Sequence, residues 1–192
     1  MSPLPKDDQR TLLLLARRAI VEAVSHLQVF EVPPVTDNLA RPTGAFVTLY
    51  CDGHLRGCIG RIEPTEPLAR TVAQCAVGAA LHDPRFTPVV GEELVRLAIE
   101  ISVLSPVEPI LPEAVKVGTH GLVVQREHFR GVLLPQVAVE RAWTRERFLE
   151  ETCRKAGLPP DAWRDPETQC LAFTDEVFSE AEFKENQSSS GR

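Results

Sequence analysis

Leu55-Arg56-Gly57-Cys58-Ile59-Gly60 places a thiol between two glycines, with Arg56 two residues before it and Arg61 three after. A cysteine attacks as its thiolate, and a nearby guanidinium favours that form. Glycines beside the thiol let a ligand or another stretch of backbone approach closely, or form a bulge that re-aims the sulfur. Cys58 is therefore the candidate nucleophile and Arg56, Gly57 and Gly60 its candidate surroundings. The alternative is a strand cysteine packed in the interior, with glycines placed for geometry alone.

A nucleophile needs a base, and two histidines come into question. His120 precedes Gly121 at the entrance of a strand, and His82 sits at a helix end beside Asp83-Pro84-Arg85. His120 is the preferred candidate. Arg56 and Arg85 have the chemistry to clamp a carboxylate or phosphate, although Arg85 can equally pair with Asp83 and fix its own turn. A dedicated metal site is not expected. His54 and Cys58 would lie about 13 Å apart along a regular strand, too far to share a zinc ion with bonds of about 2.0–2.3 Å. No His-x-x-x-His pair or carboxylate cluster supplies further ligands. Gly57 and Gly60 do not open a helix, so neither a phosphate loop nor a dinucleotide fingerprint is present, and no cofactor is expected.

The thiol must be positioned by a hairpin. Asp52-Gly53 suits a two-residue type I′ turn, which predicts His54 facing Cys51, Arg56 facing Leu49 and Cys58 facing Val47. Alternation then sends Leu55 and Ile59 with Phe46 and Tyr50 to one face, and His54, Arg56 and Cys58 to the other. Before the hairpin, Asp7 or Asp8 caps a helix with an apolar stripe of Leu12, Ala16, Ile20, Ala23, Val24 and Leu27. Glu31–Pro42 reads as an extended loop with three prolines. After the hairpin, Thr65 caps a helix from Glu66 to about Leu81, ended by Pro84. Glu92–Val95 reads as one helical turn.

Leu97–Leu104 alternates as a half-buried strand, and Gly121–Gln125 and Gly131–Leu134 read as a pair of strands ended by Pro135. Ala142–Ala156 reads as a helix with Thr144 near its cap and Gly157 at its end, followed by a last strand over Cys170–Phe178. Strands and helices mix without strict alternation, which predicts an α+β fold with a largely antiparallel sheet and flanking helices.

The bulk properties bound the partners. The 192 residues, 43% hydrophobic, suffice for one domain over residues 1–182, with room for two lobes, and a polar tail over 183–192 is expected to be disordered. The net charge of −6 gives no global attraction to nucleic acid or to an anionic membrane. Arginine makes up 17 of the 21 basic residues, which suits a local anion pocket, although a coding bias that favours Arg is the preferred reading. The five cysteines form no Cys-x-x-Cys pair, so reduced thiols and a cytoplasmic location are expected. No stretch is long and apolar enough for a membrane span.

Several motifs together resemble the AMMECR-domain family, whose prokaryotic members are called AmmeMemoRadiSam system protein A. They are Phe46-Val47-Thr48-Leu49, Leu55–Gly60, Asp83-Pro84-Arg85-Phe86, Leu133-Leu134-Pro135-Gln136-Val137, Phe148-Leu149 with Cys153, and Lys155-Ala156-Gly157-Leu158. The resemblance implies an α+β fold with a larger and a smaller lobe around a cleft near Leu55–Gly60. It also implies functional association with a radical-SAM protein and a Memo-like protein. Gln136 either lines that cleft with its amide or satisfies loop backbone groups. No settled activity comes with the family. Two readings follow: an enzyme or modification factor using Cys58 on a small molecule or a partner-protein residue, or a non-catalytic adaptor whose cleft holds a peptide or partner surface.

Overall fold

The computed structural model describes residues 3–26 and 30–183. Two compact units emerge, one formed by residues up to Leu104 with those from Glu176 onward, the other by Ser105–Asp175. The expected disordered tail lies outside the described residues apart from Phe183. In chain order, the elements up to Leu104 are α1 (Lys6–Val21), α2 (Asp37–Ala40), β1 (Ala45–Cys51), β2 (His54–Arg61), α3 (Leu68–Leu81) and β3 (Leu97–Leu104). Next come β4 (Glu108–Pro109), β5 (Gly121–Arg126), β6 (Phe129–Leu133), α4 (Pro135–Glu140), α5 (Arg145–Lys155), β7 (Gln169–Phe173) and β8 (Asp175–Ser179). Each sheet has four strands, in the orders β2-β1-β3-β8 and β4-β7-β5-β6, and every described strand pair is antiparallel. The α+β expectation holds.

In the first unit, α1 and α3 cover one face of the β2-β1-β3-β8 sheet. Leu12, Ala16 and Ile20 from α1, Leu68, Val72 and Ala76 from α3, and Val47, Leu49, Ile99 and Ile101 from the strands share one core. Small residues on α3 allow close contact with the strands. Several helix boundaries depart from expectation for identifiable reasons. No side chain caps α1, whose N-cap is Pro5. Asp8, expected at the cap, is buried and accepts hydrogen bonds from Thr36 Oγ1 and Asn38 Nδ2, both at 2.8 Å. That anchor fixes the start of α2, a helical turn within a stretch that reads as extended loop. α1 runs on into a π-helical turn over Glu22–His26, and Leu27 of its stripe lies outside the described residues. α3 starts after Pro67, two residues later than expected, because Leu68 N–H donates to Arg41 O at 2.9 Å and Pro67 bridges Pro42. The turn expected over Glu92–Val95 is a 3-10 turn at Gly91–Glu93.

In the second unit, α5 lays Phe148, Leu149 and Cys153 against Leu122, Val124 and Leu133 of the sheet. The helix begins at Arg145 rather than Ala142, whose φ of +50° is left-handed. Thr144 is its N-cap, with Oγ1 accepting from Arg147 N–H at 3.2 Å. Thr144→Ala should therefore cost about 1 kcal/mol, read as a lower urea midpoint, while Thr144→Ser should cost little. Pro135 ends β6 as expected but also opens α4 at its first turn, a position that suits proline's fixed φ. The last strand expected over Cys170–Phe178 is two strands in different sheets, β7 and β8, separated by Thr174. Thr174 N–H donates to Ser105 Oγ at 3.0 Å, which turns the chain out of register.

Candidate functional site

The hairpin turns at Asp52-Gly53, both at positive φ, and Cys51 faces His54 as expected. Beyond that point a β-bulge shifts the register at Leu49/Tyr50. Tyr50 pairs with Leu55 and Leu49 with Gly57, so Arg56 is the extra residue. Cys58 then faces Thr48, not Val47, and Gly60 faces Phe46. A one-residue shift reverses the faces in a structure with a side-chain period of two. The core face carries Ala45, Val47 and Leu49 with Gly57 and Ile59, whereas Phe46 and Tyr50 lie with Cys58 on the opposite face.

The sheet register also places Glu100 and Ser102 of β3 beside Thr48 and Phe46. A row therefore crosses three strands: the Cys58 thiol on β2, the Thr48 hydroxyl on β1 and the Glu100 carboxylate on β3. Thr48 Oγ1 is 3.3 Å from Cys58 Sγ, and Tyr50 Oη approaches Glu100 Oε1 at 3.5 Å. Cys58, Thr48, Tyr50 and Glu100 are all half-buried.

The backbone at Cys58 is clamped from the edge of the sheet. β2 is an edge strand, with exposed pairing groups that need a cover. The Asp83 side chain, 2% exposed, supplies it. Asp83 Oδ2 accepts from Cys58 N–H at 2.8 Å and from Arg85 Nη2 at 2.7 Å, while Oδ1 accepts from Arg85 N–H at 3.1 Å and Nε at 3.0 Å. The Arg85 hydrogen bonds, together with those from backbone N–H groups, hold the Asp83 carboxyl well below the usual carboxylate range against the opposing effect of burial. Arg85 Nη2 also comes within 3.5 Å of Cys58 O. The Asp83–Phe86 motif thus folds onto the Cys58 motif.

The two motif arginines differ in their engagement. Arg56 Nε and Nη2 fork onto Glu93 Oε1 and Oε2 at 2.7 and 3.0 Å, and Nη1 donates to Thr87 O at 2.9 Å. Its side chain is 14% exposed. Arg85 leaves 55% of its side chain exposed. The surroundings hold both guanidiniums charged: Glu93 chiefly for Arg56, with a small part from Cys51, and Asp83 chiefly for Arg85, with a small part from Cys58. Arg85, rather than Arg56, is thus the arginine held against the Cys58 backbone, through Asp83 and at 3.5 Å from Cys58 O. Arg56 is the unpaired residue of the bulge, and its guanidinium is taken up by Glu93 and Thr87 O.

The glycines have steric roles. A Cβ on Gly57 would lie 2.1 Å from Ala79 O of α3, and one on Gly60 would lie 2.1 Å from the Phe46 ring. His120 and Gln136 belong to the second unit. Lys116 N–H donates to His120 Nδ1 at 3.1 Å, so the neutral ring carries its proton on Nε2 and its acceptor nitrogen is in use. Burial and the Lys116 charge push the imidazole below its ordinary value. Gln136 Nε2 donates to Asp175 Oδ2 at 2.7 Å. Among the described residues, no three His, Cys, Asp or Glu side chains group to hold a metal ion, and no helix is long and apolar enough to cross a membrane.

Thr48, Glu100 and Glu93 are the site neighbours that residue types alone did not single out, whereas the Arg85–Asp83 pairing that fixes the turn was expected and is present. Glu100 was visible as a polar position in the alternation of β3, and Asp83 and Thr48 lie within quoted motifs. Register brings Thr48 and Glu100 into the row with the thiol, whereas Asp83 reaches the Cys58 backbone from the end of α3 and Glu93 holds Arg56.

An α+β chain with a motif thiol on the sheet face away from its helices finds its match among known proteins. The AMMECR1 family model matches residues 13–178, and the chain belongs to that family. A protein from Methanothermobacter thermautotrophicus is 45% identical over 187 residues, covering 93% of this chain and 97% of that protein. Protein TK0174 from Thermococcus kodakarensis is 46% identical over 181 residues, covering 88% of each. The crystal structure of the uncharacterized protein PH0010 from Pyrococcus horikoshii matches with a TM-score of 0.80 at 44% identity, covering 88% of this chain and 89% of that one.

Proposed function

We propose that this AMMECR1-family protein acts through the Cys58 thiol, which adds to an electrophilic carbon of a small molecule or of a residue on a partner protein. The radical-SAM and Memo-like partners implied by the family resemblance are the place to seek a protein substrate. The observation that carries the reading is the row Cys58–Thr48–Glu100. It sets a hydroxyl 3.3 Å from the sulfur and a carboxylate one strand further, on the face that the hydrophobic core does not use. Thr48 Oγ1 donates to the sulfur and so favours the thiolate; when the S–C bond forms, the proton already lost from the thiol is in water.

The other cysteines lack this setting. Burial pushes the Cys75 and Cys170 thiols up to about 11 and raises Cys153 as well, so all three stay protonated and inert near neutral pH. Cys51 has the Asp52 carboxylate 3.8 Å from its sulfur.

Native alkylation with iodoacetamide in a Cys51→Ser background, followed by peptide mass mapping, tests the reading. Cys58 should be labelled without denaturant, while Cys75, Cys153 and Cys170 wait for urea. Thr48→Val should slow labelling of Cys58 several-fold at unchanged thermal stability. Labelling of Cys58 only together with the buried three would sink the thiol reading and leave the same face to a non-catalytic docking role.

A further inference from the structure

We propose that Arg85 is an anion-recognition element of the Cys58 site, so that the substrate carries a carboxylate or phosphate group beside its electrophilic carbon. This rests on the thiol reading above. A guanidinium has two hydrogen-bonding edges suited to bidentate pairing. Arg85 uses its Nε/Nη2 edge on Asp83 at 3.0 and 2.7 Å. Its planar orientation is set by that fork and by the Phe86 ring, 5.4 Å from Cζ to the centroid. Nη2 also donates to Cys58 O at 3.5 Å, so the donor left to a ligand on this side chain, 55% exposed, is Nη1, which covalent geometry directs away from the carboxylate.

With Asp83 the guanidinium forms a formally neutral pair, so what Arg85 offers an anion is the directed Nη1 donor on a half-exposed side chain. Its position is tied to the nucleophile because Asp83 Oδ2 holds Cys58 N–H and Arg85 Nη2 at once, and Nη2 reaches within 3.5 Å of Cys58 O. Arg56, in contrast, is closed by Glu93 and Thr87 O.

Iodoacetate and iodoacetamide test the assignment. They share one reaction: an S–C bond forms, the C–I bond breaks, iodide leaves and the thiol proton goes to buffer. They differ in that one carries a carboxylate. The ratio of iodoacetate to iodoacetamide rates at Cys58, in the Cys51→Ser background, should exceed that of N-acetylcysteine at least about threefold, as expected for a partly exposed charge pair. Added sodium chloride should shrink the excess by screening. Arg85→Gln should bring the ratio to the free-thiol value.

Should that variant fail to fold because Asp83 is left unpaired, Arg85→Lys should retain part of the excess and lose part of it. Sodium phosphate and sodium acetate at matched ionic strength should each slow alkylation more than chloride, and the stronger protector identifies the group. A free-thiol ratio in the wild-type background, or protection by neither anion beyond chloride, overturns the proposal. If neither reagent labels Cys58, it is the thiol reading that has failed.

Discussion

Gly57→Ala is expected to lose about 3 kcal/mol or more of stability, enough to leave much of the protein unfolded in mild urea. The added Cβ would stand 2.1 Å from Ala79 O and 3.0 Å from its carbonyl carbon. Those are backbone atoms in the middle of the β2–α3 contact, and no rotamer change can move them aside. Either β2 lifts from α3, opening the layer that buries Val47, Leu49 and Val72, or the helix shifts as a body. Two companions rank the effect. Gly60→Ala meets the Phe46 ring, a side chain that can turn, and should cost less. Gly91→Ala meets nothing within 4 Å at an ordinary φ and should stay within about 0.5 kcal/mol of wild type. Urea denaturation of the three variants checks the order. A Gly57→Ala midpoint equal to that of Gly91→Ala would mean that the strand does not need the close approach.

The same glycine shows how far the sequence alone could be read. A thiol flanked by glycines, a turn at Asp52-Gly53 and alternating strands were all legible from residue type, and they locate the motif on the right hairpin. The face of each residue was not legible. A bulge costs one residue and has no composition signal beyond a glycine, yet it moves Cys58 from beside Val47 to beside Thr48. Glu100 then enters the row only through the pairing of β1 with β3, a long-range fact that no local window contains. The helix starts failed for a related reason. Asp8 and Thr65 look like caps locally, but Asp8 is engaged by Thr36 and Asn38, and the Thr65–Pro67 stretch is held by the chain at Arg41 and Pro42. Thr144 caps its helix and Gly157 follows its end as read, although the helix starts at Arg145 and not at the expected Ala142.

Asp83→Ala should destabilise the protein by about 2–4 kcal/mol and change the acid limb of its stability. Its carboxylate is 2% exposed and accepts four hydrogen bonds, so removal orphans Cys58 N–H at the sheet edge and releases Arg85. An unsatisfied buried N–H costs about 1–3 kcal/mol, and loss of the charge-assisted bonds adds to it, while Arg85, half exposed, can turn to water. The carboxyl is depressed in the folded state, so the unfolded chain takes up the proton first as pH falls. Its stabilisation is fully present above the unfolded value of about 3.9 and is lost progressively below it, toward the lower folded value. Wild type should therefore lose stability steeply as the pH drops from about 4 toward 2, and Asp83→Asn, less stable at pH 7, should show a shallower fall over the same window. Urea midpoints across that range measure both slopes. Parallel acid limbs would show that Asp83 is not the carboxylate that ties the Cys58 strand to the Arg85 turn. The same variants examine the site, because Asp83 sets the position of the thiol's backbone and of the guanidinium together. Asp83→Asn, which keeps one acceptor oxygen for Cys58 N–H but cannot fork Arg85 as an anion, should retain Cys58 labelling by iodoacetamide.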